Sequence, residues 1–455
     1  MVVDQHLFDM EPTQIPAPAE AVPAAAGNPR LRVPVRDQIE MHMLSLDEML
    51  EAEHSARMVW QAVCQLDLQA WLGEIKAVEG VAGRDHTDPR LLVSLWVFAT
   101  LDAVGSARKI ARLCKRDLPY NWLCGGVTIN HSMLSAFCRW GGEKLDNLLT
   151  HIVAALMSEG LVEMKRVAQD GMRVRADAGQ ASFRRATTLQ EHLADAREQL
   201  EALRKQADET PAELTKRERA AQKRAAEERM KKVEEALQEC ARLQQQREIR
   251  SEKSGKPAKE ARASTTDPEA RTMQFPDGGY RPGYNVQYAT DTASGIIVGV
   301  DVTNSGSDAE QLPPMLDQLQ QRYDRIPEEA LVDGGFATKE TVEQATQCGC
   351  TVYAPLKDEK KQLKEGKDPY AKKKGDTPAL AAWRARMATA AAKAIYGLRC
   401  QTAEWVNAMA RNRGFQQMPV RGQTRCRTIA ILYAITHNLV HAVNLRAPAA
   451  AGAEG

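Results

Sequence analysis

Three acids stand where they could hold a cation. Asp170 follows a predicted short strand at 166–169, Asp333 follows a predicted strand at 330–332, and Glu404 lies on a predicted late helix. An Asp at a strand end is rigidly placed, and a Glu reaching from a facing helix can meet both. Three converging carboxylates repel one another, so such a cluster makes sense as a cation site. Oxygen-only ligands favour Mg²⁺ or Mn²⁺ over zinc. Two such ions about 4 Å apart would activate an attacking oxygen and stabilise the leaving oxygen of a phosphodiester displacement. Each acid also has an ordinary explanation. Asp170-Gly171 and Asp333-Gly334 are Asp-Gly pairs, which in isolation are more often turn residues. Glu404 reads equally as a surface glutamate. Of the competing acids, Asp291 reads as a turn residue and Asp308 as part of a helix cap. Asp301 stays open, because it sits on a predicted central strand.

The surroundings of Glu404 are basic. Between Tyr396 and Arg427 it is the single acid among six arginines: Arg399, Arg411, Arg413, Arg421, Arg425 and Arg427. On a regular helix Glu404, Asn407, Ala408 and Arg411 share one stripe. From Lys357 to Arg399 there are twelve Lys and Arg against five Asp and Glu, although the whole chain carries a formal charge of only +1. A neutral total can conceal a basic surface of the kind that grips a polyanion.

Length and composition set the frame. A chain of 455 residues buries a large core, in more than one domain. The nine cysteines form no CxxC pair and no Cys/His ligand spacing, and read as free thiols in a reducing compartment. The N-terminus, with Asp4, Asp9 and Glu11, is no signal peptide. The longest apolar run, 91–101, falls well short of the roughly 18 residues that span a bilayer. The expectation is a cytoplasmic protein with no membrane partner.

Several elements must position the acids. Residues 1–38 are Pro/Ala-rich and read as a disordered leader. Residues 45–162 read as a helical domain. Ser45–Glu48 offers a capping box, Asp88-Pro89 opens an apolar helix, and a short basic helix carries Arg108, Lys109, Arg112, Lys115 and Arg116. Gly125-Gly126 turns the chain, and helices follow at 130–140 and to Gly160. Two short strands then flank Asp170-Gly171, at 166–169 and 172–176. Residues 188–250 show the four-and-three spacing of a coiled-coil seam through Leu189, Leu193, Ala196, Leu200, Leu203 and Ala207. A break at 208–211 and a weaker seam through Met230, Val233, Leu237 and Cys240 complete an antiparallel helical hairpin. Residues 251–282 read as a basic, turn-rich return. Strands at 284–290 and 296–303 joined by a hairpin, a helix capped by Ser307–Glu310, and alternating strands and helices to 354 suit a mixed α/β sheet flanked by helices. A lysine-rich loop at 357–374, an Ala-rich helix and a final helix at 424–445 close the chain, with 447–455 a disordered tail.

Several stretches together carry a resemblance. These are VAQDGMRVRADA at 167–178, DPEARTM at 267–273, GYNVQYATD at 283–291 and LVDGGFAT at 331–338, with the Tyr396, Arg399, Glu404, Arg411 run, VRG at 420–422 and HNL at 437–439. From about 85 to 445 the chain resembles bacterial insertion-sequence transposases of the DDE type. The resemblance implies a ribonuclease-H-like catalytic core at 163–187 and 263–446, interrupted by the coiled-coil insert and its return at 188–262. It implies that Asp170, Asp333 and Glu404 are the catalytic metal ligands, with two Mg²⁺ ions for which Mn²⁺ substitutes, and that Asp301 is structural. Tyr396, Arg399, Arg411, Arg413 and Arg421 would contact DNA. The partners implied are double-stranded DNA, as terminal inverted repeats bound by the 45–162 domain and as target, and a second copy of the chain in a homodimer on DNA. The protein would then associate with the nucleoid. Arg411 stands where the family usually has Lys, and the Phe-Gly pair seen after the glutamate in many relatives is missing here. Two other readings remain: a catalytically inactive or domesticated transposase-derived DNA-binding protein, and a coiled-coil interaction protein.

Overall fold

A computed structural model describes residues 43–78, 80, 85–209, 216–255 and 257–451. The expected leader at 1–38, residues 210–211 of the expected break and residues 452–455 of the expected tail lie outside these; residues 208–209 and 447–451, expected as break and tail, are helical.

The N-terminal part is helical, with α1 (Leu46–Met49), α2 (Ser55–Cys64), α3 (Gln69–Leu72), α4 (Pro89–Leu101), α5 (Ala107–Leu113), α6 (Leu118–Cys124), α7 (His131–Trp140) and α8 (Gly142–Ser158). Local caps set these boundaries. Asp88 accepts from the Arg90 backbone N–H with Pro89 in the first turn, Ser106 caps α5, and Asn130 accepts from Met133 N–H. Each such cap is worth about 1 kcal/mol. Gly125 and Gly126, at φ +53° and +85°, make the left-handed turn after α6. The helix expected from Ser45 is a single turn, and a second helix begins at Ser55.

One sheet follows, built from β1 (Arg166–Arg175), β4 (Arg271–Gln274), β5 (Tyr280–Asp291), β6 (Ile297–Thr303), β7 (Glu329–Val332) and β8 (Thr351–Tyr353). A separate clasp pairs β2 (Phe183–Arg184) with β3 (Ala263–Ser264). Two long helices, α9 (Ala186–Glu209) and α10 (Lys216–Ser254), project from that clasp. They pack through Leu189, Leu193, Val233, Ala236 and Cys240.

β1 lies between β5, which is antiparallel to it, and β7, which is parallel; β8 is parallel to β7. The other edge of β5 pairs with β4 near its start and with β6 along its second half. The predicted turn at Asp170-Gly171 is not formed. β1 runs straight through, paired with β5 from Val167↔Asp291 to Arg175↔Gly283. The ladder partner, which local sequence cannot show, overrides the Asp-Gly turn preference. The return at 251–282 likewise contains β3, β4 and the start of β5.

The remaining helices are α11 (Leu312–Tyr323), α12 (Lys339–Gln347), α13 (Glu359–Lys364), α14 (Pro378–Met387), α15 (Ala390–Arg399), α16 (Trp405–Asn412) and α17 (Gln423–Ala451), with a π-helical turn (Cys400–Glu404) joining α15 to α16. The expected Ser307–Glu310 cap is not used. α11 starts at Leu312, and Ser307 instead closes a small turn onto Ala309 N–H. Thr338 caps α12, its side chain accepting from the Thr341 N–H. α17 packs against β5, β6, α4 and α8 and ties the N-terminal helices to the sheet. Its Gln423–Arg446 stretch is long and apolar enough to cross a membrane, but 61% of the sampled stretch is buried inside the fold, as in a core helix. No disulfide links the nine cysteines.

Candidate active site

The parallel register of β1 and β7 places the first two acids. Val167 pairs with Ala330, Ala168 with Leu331 and Gln169 with Val332. Asp170 and Asp333 are the residues that directly follow the last paired positions, Gln169 on β1 and Val332 on β7. Asp333 is exposed at the end of β7, and its Oδ1 accepts from Gly334 N–H at 2.7 Å. Asp170 sits deeper, with its side chain 19% exposed.

Arg399 ties Glu404 to Asp170. Its guanidinium reaches Asp170 Oδ1 at 2.7 Å and Glu404 Oε1 at 2.5 Å. Residues five apart diverge on an α-helix, but a π turn closes i to i+5 and brings them to one side. The turn at Cys400–Glu404 therefore makes the Arg399–Glu404 pair possible. On α16, Asn407 stands one turn beyond Glu404 and donates from Nδ2 to Asp170 Oδ2 at 2.9 Å. Asn407 Oδ1 and Arg399 Nε are buried with no partner among the described residues.

The charges act on one another. Burial is the largest influence on Asp170 and raises its pKa above the usual carboxylate range. Arg399, Asn407 and the Gly171 N–H pull it down without cancelling that rise, and Asp308 adds to it. Burial works against the charged form of Arg399, yet Asp170, Tyr396, Asp333 and Glu404 outweigh it and hold the guanidinium above its ordinary value. The Tyr396 phenol is raised by burial and, against the pull of Arg399, by Asp333, Glu404 and Asp170. The three acids thus share one electrostatic neighbourhood, centred on Arg399 and not on a ready-made cage. Among the described residues no three His, Cys, Asp or Glu side chains are close enough to hold a metal by themselves.

The expected DNA contacts divide. Tyr396 and Arg399 belong to the acid cluster, and Arg399 is buried. Arg411 is exposed on α16. Arg413 is half-buried against Tyr433, lining a cavity with Trp96 and Phe415. Arg421 is ion-paired, its Nε 2.8 Å from Asp177 Oδ2. Other stretches of the resemblance act as braces. Asp267 accepts from Tyr284 OH and Gly422 N–H, and Glu269 from Gln423 N–H, so DPE holds the start of α17. Asn438 bonds both backbone groups of Ile297, fixing the β5–β6 hairpin. Asp301 pairs with Arg427 across 3.5 Å, away from the cluster.

One residue discounted in the sequence stands beside the site. Asp308 accepts from Asn285 Nδ2 at 2.7 Å, from Gln287 Nε2 at 2.9 Å and from Arg173 at 3.4 Å. A Cβ at Gly171 would overlap Asp308 Oδ1 and come within 2.5 Å of Gln287 Nε2. Gly171 is therefore needed for close approach, not for a turn. The Asn and Gln in GYNVQYATD were the available signal, since buried amides on a central strand require a polar partner.

Comparison with known proteins identifies two transposase domains. Residues 258–439 match the model of a transposase DDE domain, a span that includes Asp333 and Glu404 but begins after Asp170. Residues 44–140 match the model of a transposase domain (DUF772). The chain belongs to the insertion-sequence DDE transposases. No curated protein and no solved structure matches it.

Proposed function

We propose that this transposase is catalytically competent: it binds the terminal inverted repeats of its element as a homodimer and cuts and joins DNA strands at a site formed by Asp170, Asp333 and Glu404. The observation that supports this reading is the Arg399 bridge from Asp170 to Glu404, with Asp333 acting on the same guanidinium and following the β1–β7 pairing at Gln169↔Val332. The strand order supports a ribonuclease-H-like core: an antiparallel meander on one side of β1, and parallel β7 and β8 on the other. The packed α9–α10 pair supports the coiled-coil insert.

The donor set suits a hard divalent ion. The three acids offer only oxygen, and Asn407 keeps a buried, unpartnered Oδ1 beside Asp170. Mg²⁺ or Mn²⁺ held by these acids would polarise the scissile phosphodiester and activate the attacking hydroxyl. The chain's own residues orient the substrate. Exposed Arg411 and the exposed lysines at 357, 360, 361, 364, 367 and 372–374 offer phosphate contacts. Arg108, Lys109 and Arg112 on α5, with Lys115 and Arg116 just after it, all face solvent, which suits the helical domain to a DNA backbone. Such contacts position DNA without reading its sequence.

The test is nicking of a duplex that carries the element's end, in Mg²⁺ or Mn²⁺. Asp333→Asn should abolish nicking while leaving the thermal melt and end binding in place. Tight end binding by the native chain with no nicking in either ion would refute the proposal.

A further inference from the structure

We propose that Arg399 is the positioning residue of the acid site: its buried guanidinium holds Asp170 and Glu404 together as a resident counter-cation, and a divalent ion gains these acids only by displacing it. The inference rests on the reading of Asp170, Asp333 and Glu404 as metal ligands.

Four observations support it. Arg399 is only 8% exposed, so its charge is turned inward onto the acids. It gives one N–H to each acid, using the planar fork that distinguishes Arg from Lys. The oxygens it occupies are those an ion would need: Asp170 Oδ1 also accepts from Gly171 N–H, while Oδ2 is taken by Asn407. The π turn gives this pairing a structural basis, since its i to i+5 closure brings Glu404 round to the side of Arg399. π turns are uncommon and cluster at functional sites. Here the turn serves a contact between two members of the site itself.

Arginine and ion therefore compete. Without metal, Arg399 offsets part of the repulsion among the acids and keeps Asp170 and Glu404 close together. With metal, the guanidinium must leave, and the measured affinity is reduced by the fraction of time the acids are free of it.

Mn²⁺ binding to the full-length protein without DNA, followed by the electron paramagnetic resonance signal of free Mn²⁺, tests this. Arg399→Gln should bind Mn²⁺ about tenfold more tightly than the native chain, the ratio expected if the native acids are free about a tenth of the time. Arg399→Lys keeps the charge but not the fork, and should fall between the two. Asp333→Asn should weaken binding in both the native and the Arg399→Gln backgrounds. Equal or weaker binding by Arg399→Gln, with Asp333→Asn still weakening it, overturns the inference and leaves the acid site standing. Mn²⁺ binding indifferent to Asp333→Asn overturns the ligand assignment, and the inference with it. Should Arg399→Gln fail to fold, Arg399→Lys decides alone, and binding no tighter than native overturns the proposal.

Discussion

Asp170 and Asp301 look alike when each is considered alone. They lie on the two strands that flank β5, opposite its neighbouring residues Tyr288 and Gln287. Burial raises both above the usual carboxylate range, and each is paired with an arginine. They differ in how their clusters close. Arg427 bonds both Asp301 and Asp146, and Arg322 also bonds Asp146, so two acids meet two arginines and the charge cancels. Around Asp170, the acids Asp170, Asp333 and Glu404 share Arg399. Asp308, nearby, has its own partner in Arg173. Three acids against one arginine leave a deficit that a divalent ion or a proton would remove. On the proposed reading it is this leftover charge, and not burial or pairing, that marks Asp170 as a metal ligand and Asp301 as structural.

The sharpest way to break this contrast is to neutralise each aspartate in turn. Asp170→Asn is expected to lower metal-dependent nicking by about 10³-fold or more, the scale of losing a group central to transition-state stabilisation. Asp301→Asn should leave nicking nearly unchanged. A comparable loss in both, measured in the same assay, would dissolve the distinction. Next in size is Gly171→Ala. Its methyl group would collide with Asp308 and Gln287, an overpacking that costs about 1–3 kcal/mol in denaturant unfolding, and Asp308→Ala in the same chain should recover most of that loss. An additive double mutant would show that Asp308 does not fill the space over Gly171.

The smallest effect concerns pH. The folded pKa of Asp301 lies above its ordinary value of 3.8. The penalty for ionising it is therefore absent below 3.8 and fully present above the folded pKa, so this group's contribution to stability falls as pH rises through that window. Asp301→Asn should remove that slope. Its carboxylate is 40% exposed, so solvent screening limits the effect to below about 1 kcal/mol. A slope unchanged by the substitution would place the titration elsewhere.

Features encoded within one turn of chain were legible from sequence. Asp88-Pro89 and Asn130 open helices because an N-cap needs only the next three residues. Asp333 was placed at its strand end for a similar reason, since β7 is short and the glycines after it are local. Three features were not legible. Asp170-Gly171 has the form of a turn, and only pairing with β5, more than a hundred residues away, keeps it in a strand. Ser307–Glu310 has the form of a capping box, which concealed Asp308. The Arg399–Glu404 contact spans five residues, a separation that a 3.6-residue period rejects and a π turn permits.

The β2–β3 clasp has a consequence for how the molecule reaches its fold. β1 and β5 must find each other although the whole helical insert lies between them. In the folded chain, Phe183↔Ser264 and Arg184↔Ala263 hold the ends of that insert together. To the folding sheet, the intervening helices then behave like a short tether. Loop-closure entropy grows slowly, by about 0.6 kcal/mol per doubling of length, and the clasp removes most of even that dependence. The hairpin is in effect a plug-in segment, whose length the catalytic sheet would scarcely feel.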